Sequence, residues 1–88
     1  MWYVYFIRSC SDTEIIYVGH TQNIRDRLQR HNEKRERYTK KFVPFELIYT
    51  EEFVTKEEAA KREYYFKTPK GRAEKRIIIR RLIDQRGV

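Results

Sequence analysis

Trp2-Tyr3-Val4-Tyr5-Phe6-Ile7, followed by Ile15-Ile16-Tyr17-Val18-Gly19, decides how this chain folds. The first run is wholly aromatic and β-branched with no polar alternation, which predicts a strand buried on both faces and therefore a central one. Between the two runs, Ser9-Cys10-Ser11-Asp12-Thr13 supplies turn formers, so the pair reads as a hairpin. Tyr3, Tyr5 and Ile7 share one face of the first strand, and Ile15 and Tyr17 share one face of the second. If the register allows, Tyr5 and Tyr17 are cross-strand neighbours. Gly19 is expected to end the second strand.

Downstream of Gly19, Asn23 offers a side-chain oxygen as a helix cap, and Asp26 sits favourably near the positive end of the helix dipole. With Ile24 at zero on a wheel of about 100° per residue, Leu28 falls near 40°, His31 near −20° and Arg27 near −60°. Arg27 and His31 thus flank the apolar stripe, while Arg25, Asp26, Gln29 and Arg30 face solvent. Two readings stand for the pair: Arg27 reaches out to water while His31 closes the helix end, or both face a wet cleft.

From Glu33 to Lys41 the chain is a charged loop or frayed helix end, with Tyr38 interleaved among Lys34, Arg35, Arg37, Lys40 and Lys41. Such a run suits a phosphate backbone, with Tyr38 available to stack on a base. Pro44 breaks any helix, and Phe45 to Thr50 alternates as a third strand. Thr55-Lys56-Glu57-Glu58 matches a capping box, which starts a second helix at Lys56. On that helix Glu63 falls inside the stripe made by Ala59 and Phe66. A lone carboxylate there reads either as an ion-pair partner of Arg27 or Arg62, or as a metal ligand at the edge of a cleft. Thr68-Pro69 opens a third helix that should carry Ile78, Ile79, Leu82 and Ile83 toward the core, with Arg72, Lys75, Arg76, Arg80 and Arg81 on its other faces. Gly87 suits its end.

These elements predict an α+β domain spanning residues 1–88: a small, mainly antiparallel three-stranded sheet flanked by three helices, in the order β-β-α-β-α-α. At 88 residues there is no room for a second independent core. With 40% apolar and 15% aromatic residues, disorder throughout is excluded. The single cysteine, Cys10, cannot form an intrachain disulfide, and no apolar run approaches a bilayer span of about 20 residues, so a soluble, cytoplasmic protein is expected. The net charge of +7 is concentrated in two blocks: residues 25–41 carry +5 and residues 67–88 carry +6. Blocks of that kind attract polyanions, although basic residues also simply solvate helix faces.

Taken together, Tyr3-Val4-Tyr5, Tyr17-Val18-Gly19, Arg27 eight residues after Gly19, His31 one turn further, and Glu63 within Ala-Lys-Arg-Glu resemble the GIY-YIG endonuclease core over residues 2 to about 83. The likeness is to its small single-domain branch, as Arg37-Tyr38-Thr39 and Pro44-Phe45-Glu46-Leu47 also suggest. Tyr3 stands where the first triplet has glycine. The resemblance implies hydrolysis of DNA phosphodiesters with one Mg²⁺ or Mn²⁺. Glu63 would ligate the metal and Arg27 would bind the scissile phosphate. Tyr5 would orient or deprotonate the attacking water, with Tyr17 assisting, and His31, with His20 in support, would help the tyrosine act as a base. Lys34, Arg35, Arg37, Tyr38, Lys40, Lys41, Lys67 and Arg72 are the expected nucleic-acid contacts. The partner would be DNA, with RNA left open. No appended recognition segment is evident, so structured or damaged DNA, or targeting by a protein partner, would supply selectivity. The competing readings are a non-catalytic nucleic-acid-binding module and a structural domain whose charges are only solvation.

Overall fold

Strand β1 (Trp2–Ser9) lies in the middle of a three-stranded sheet, paired antiparallel with β2 (Ile16–Thr21) on one side and β3 (Phe45–Phe53) on the other. The computed structural model describes residues 1–86, and Gly87, expected at the end of the last helix, lies outside them. Helices α1 (Ile24–Asn32), α2 (Lys56–Phe66) and α3 (Pro69–Arg86) complete the order β-β-α-β-α-α, with a 3₁₀ turn at Lys40–Phe42 before β3. This is the expected α+β arrangement.

Alternation along β1 sends its side chains to two different cores. Val4 and Phe6 join Val18 of β2 with Ala59 and Phe66 of α2, and Ile78 and Ile79 of α3 pack against that cluster. Tyr5 and Ile7 face the other way and join Phe45, with Tyr17 and Leu28 of α1 packed alongside. The sheet is therefore covered by α2 and α3 on one face and by α1 on the other, which is why β1 carries no polar alternation. Phe6 meets Phe66 edge-on with ring centroids 5.0 Å apart. Truncating such a wholly buried ring to alanine costs about 3–5 kcal/mol.

Four local expectations change. Gly19 does not end β2: the strand continues through His20 and Thr21, which pair with Val4 and Tyr3. The register places Tyr5 opposite Gly19 and Tyr17 opposite Ile7, so the two tyrosines are diagonal rather than directly facing. The connection from Ser9 to Ile16, and not strand composition, sets that register. In β3 a bulge opposite Phe6 and Ile7 inserts Ile48, so Phe45 belongs to the α1 face while Tyr49 and Phe53 belong to the other. On α3, Ile78 and Ile79 reach the core as expected but Ile83 is 43% exposed.

The helix starts follow their caps. Asp26 N–H donates to Asn23 Oδ1 at 3.1 Å, and Thr55 and Glu58 form the reciprocal capping box at the head of α2. Thr68 Oγ1 accepts from Gly71 N–H at 3.1 Å at the start of α3. Arg62 then fastens α2 to its neighbours: its Nε lies 2.7 Å from Glu51 Oε1 of β3, its Nη2 2.5 Å from Glu74 Oε2 of α3, and its guanidinium covers the Phe66 ring at 4.3 Å.

Candidate functional site

The α1-facing side of β1 and β2 sets two phenols against a buried imidazole. Tyr5 is 1% exposed and its hydroxyl lies 3.1 Å from His31 Nε2. The Tyr17 ring packs against the same imidazole, with centroids 5.1 Å apart. His31 is itself 1% exposed, and its second nitrogen, Nδ1, lies 2.7 Å from Thr39 Oγ1. Such a histidine cannot merely close the end of α1. Burial holds its pKa below the ordinary histidine value, and the Arg27 guanidinium pushes the same way against the pull of Glu36. A neutral ring carries one N–H and one lone pair. In the tautomer that carries its proton on Nδ1, that nitrogen donates to Thr39 Oγ1 and Nε2 accepts the Tyr5 proton.

Close approach over Gly19 is what lets Tyr5 occupy this position. A Cβ built at Gly19 falls inside contact distance of the Tyr5 hydroxyl and 2.6 Å from its Cζ. Burial pushes the Tyr5 phenol well above the usual tyrosine pKa, with Arg27 drawing it back down. Tyr17 is raised too, first by burial and then by the charge of Glu63. Unaided, neither phenol is a base at neutral pH.

Arg27 stands beside these phenols, half-buried on α1. Its Nε is buried with no hydrogen-bond partner among the described residues, and the nearest carboxylate oxygen, Glu36 Oε1, is 3.6 Å away. Burial works against its charge, but Tyr5 and Glu36 more than offset that and raise its pKa. With Nε unpartnered, and only the Tyr5 phenol and a carboxylate 3.6 Å away as its ties, the guanidinium keeps capacity for a further anion.

Glu63 enters from α2 at the β2 edge. Its partners are neither Arg27 nor Arg62, as its place on the wheel had allowed: Arg62 is taken by Glu51 and Glu74, and Arg27 lies against Glu36. Instead His20 Nδ1–H donates to Glu63 Oε1 at 2.6 Å, and Lys67 Nζ donates to Oε2 at 2.7 Å. His20 reaches α2 because β2 runs on past Gly19. Burial disfavours the carboxylate, yet Lys67 and His20 hold its pKa below the usual range, so it is ionised at neutral pH. Its charge also reaches Tyr5 and Tyr17, raising both.

This donor set fits one hard divalent cation. Glu63 is 17% exposed, each of its oxygens has lone-pair capacity beyond its present hydrogen bond, and Mg²⁺ takes few protein ligands while keeping several waters. No group of three or more His, Cys, Asp or Glu side chains able to cage a metal occurs among the described residues. Water and substrate oxygens would complete the coordination.

The remaining expected contacts divide into two regions. Lys34, Arg35, Arg37, Lys40 and Lys41 are exposed on the segment after α1, and Tyr38 is 81% exposed. Arg35 reaches Glu33 at 3.4 Å. Lys67 is tied to Glu63, and Arg72 is exposed on α3. Two residues of the site were not singled out from sequence, Glu36 beside Arg27 and Thr39 beneath His31. Glu36 had a signal, being the only acid in the basic run 34–41. Thr39 stood within the quoted Arg37-Tyr38-Thr39 segment, but its role beneath His31 was not legible, because it depends on the loop folding back onto α1.

A three-stranded sheet with diagonal tyrosines, an arginine and a histidine on the following helix, and a carboxylate from the next helix defines a class. The chain belongs to the GIY-YIG catalytic domain family, whose model matches residues 1–76, and that family points to a nuclease. Its relatives carry the family label UPF0213. One, from Bacillus licheniformis, is 41% identical over 75 residues, covering 84% of this chain and 76% of that protein. The UPF0213 protein YazA of Bacillus subtilis is 42% identical over 64 residues, covering 72% of this chain and 64% of YazA, just under two thirds. A UPF0213 protein of Staphylococcus aureus is 38% identical over 77 residues, covering 86% of this chain and 92% of its own length. No solved structure matches the chain at comparable significance. No helix among the described residues is long and apolar enough to cross a membrane.

Proposed function

We propose that this protein is an endonuclease that hydrolyses DNA phosphodiester bonds with one Mg²⁺ or Mn²⁺ held by Glu63. The observation that carries the proposal is the Tyr5 hydroxyl bonded to a buried neutral His31, with the under-partnered Arg27 beside it. Tyr5 orients the attacking water and takes its proton while passing its own to His31 Nε2. The Thr39 hydroxyl keeps the other proton on Nδ1, so Nε2 stays an acceptor. As the water oxygen bonds to phosphorus, the P–O bond to the departing sugar oxygen breaks, and that oxygen is protonated by solvent. Arg27 binds the phosphate and offsets the charge that builds on its oxygens. Tyr17 packs His31 in place and lines the same edge. When bound, the cation supplies Lewis-acid neutralisation of the phosphate.

The test is a cleavage screen over linear, flapped, branched and damaged DNA with Mg²⁺ and with Mn²⁺. Divalent-dependent nicking is expected, lost in Arg27→Ala and Glu63→Ala while DNA binding survives. Binding without cleavage across all metals and substrates would favour a non-catalytic module.

A further inference from the structure

Between the turn leading into β2 and the outer side of α3 runs a cleft of about 630 Å³. Ile16, Ile79 and Ile83 give it an apolar lining, and Arg72, Lys75, Arg76 and Arg80 line it as well. None of these four cations has an ion-pair partner among the described residues. Glu74, the acid on the same stretch of α3, is already committed to Arg62 and Tyr65. One carboxylate, the exposed Glu14, lines the cleft against four positive charges. Lys75 is half-buried among them, its pKa pulled down first by burial and then by repulsion from Arg72 and Arg76. Cations crowded together in this way are relieved by an anion.

Spacing and position specify which anion. Arg72, Arg76 and Arg80 recur every four residues, so a helical rise of about 1.5 Å per residue sets a cation about every 6 Å over about 12 Å. That length matches three to four phosphates at about 3.4 Å of axis each. One end of the cleft lies close in the chain to the candidate site: α3 starts two residues after Lys67, whose ammonium bonds Glu63, while Ile16 sits on the α2–α3 face of β2, opposite Tyr17, so a strand in the cleft reaches the site around the β2 edge.

The geometry points to this cleft as the seat of the DNA strand flanking the cut, its phosphates held by Arg72, Lys75, Arg76 and Arg80 and its sugars lying against Ile16, Ile79 and Ile83. The identity of the strand rests on the nuclease reading; the anionic, chain-like character of the ligand rests on the cleft. Of the two basic blocks expected to attract a polyanion, the one on α3 thereby gains a defined seat.

Fluorescence anisotropy with short labelled single-stranded and duplex DNA, across a series of KCl concentrations, tests this. Arg76→Ala/Arg80→Ala should weaken binding about tenfold or more at low salt and flatten the log–log salt slope by about 1.4 on single strands and about 1.8 on duplex. Arg76→Lys/Arg80→Lys should retain the slope. Glu14→Gln, at an exposed turn, should tighten binding and so reads the cleft even if the alanine pair misfolds. Unchanged affinity and slope in a folded alanine pair, or no tightening in Glu14→Gln, overturns the proposal. So does binding of polyglutamate that the alanine pair abolishes while DNA binding stays intact, which would assign the cleft to an acidic protein segment. A wild type that binds DNA through the cleft but never cleaves keeps the cleft and removes the nuclease reading. A wild type that cleaves, with an alanine pair that binds normally, does the reverse.

Discussion

The Tyr5 hydroxyl and the His31 imidazole are bonded at 3.1 Å in a part of the fold where both side chains are 1% exposed. Neither group gains this partner from its own helix or strand, so the bond depends on α1 lying across the hairpin. Removing the hydroxyl in Tyr5→Phe should lower cleavage by about 10²–10⁴-fold, as for loss of a positioned proton acceptor. Folding should persist at a cost of about 1–3 kcal/mol for the stranded His31 nitrogen. The pH dependence has a definite sign. Folded His31 titrates below the free-histidine value of about 6.5, so below that pH the unfolded chain takes up the proton first. Stability is therefore full above about pH 6.5 and declines as the pH falls toward the folded pKa. Urea titrations from pH 7.5 to 5 should show that decline in wild type and its loss in His31→Gln.

Gly19→Ala tests the packing beneath the site. The added methyl meets the Tyr5 ring, which is tethered to His31 and backed by the sheet. Displacing the ring should cost about 1–3 kcal/mol, as overpacking does, and should abolish cleavage along with the Tyr5–His31 bond. Chemical denaturation and a nicking assay on the same sample read both effects. Normal activity would show that the Tyr5 position is not critical.

Arg27 and Arg62 should separate function from stability. Arg62 bridges Glu51 and Glu74, so Arg62→Ala strands a mostly buried carboxylate and should destabilise by about 1–3 kcal/mol, below the fully buried case because the groups are partly exposed. Arg27 is held by Glu36 at 3.6 Å and by the neighbouring Tyr5 phenol, so Arg27→Ala should cost only about 0.5–1 kcal/mol, less than Arg62→Ala. Cleavage should respond in the opposite way, being lost in Arg27→Ala and retained in folded Arg62→Ala. A Tm comparison with a nicking assay distinguishes the two.

Much of this fold could be read directly from residues, because β1 is uniformly apolar and the caps at Asn23 and Thr55 are local signals. The wheel likewise placed His31 and Glu63 against the core. What sequence could not supply was long-range choice among equivalent partners. Glu63 had arginines available by pattern, and only the docking of α2 and α3 shows Arg62 engaged by Glu51 and Glu74. The relation of Tyr5 to Tyr17 depended on a hairpin register set by its connection. His20 became a Glu63 partner because pairing with β1 carried β2 two residues past a glycine that looks like a stop. The α3 cleft was hidden for a similar reason: Ile83 has the sequence signature of a core residue, and only the packing of Ile78 and Ile79 leaves it facing out.

Lys67 now occupies one oxygen of Glu63 with its own positive charge, which a divalent cation would have to tolerate or displace. Lys67→Met frees that oxygen and removes a like charge. Mn²⁺ affinity, measured by calorimetry without DNA, should rise about two- to fivefold, in line with the modest strength of a partly exposed ion pair. A fall in affinity would mean that Lys67 positions Glu63 rather than competing at it.

The most direct test of the nuclease assignment is the Mn²⁺-dependent nicking rate of supercoiled plasmid by Glu63→Gln beside wild type. The substitution keeps the size of the side chain and an oxygen for His20, and removes the charge. Nicking by wild type that disappears with chelator and falls at least about 10²-fold in Glu63→Gln is the predicted result. Equal rates in the two proteins, or wild-type nicking that survives chelation, would contradict it.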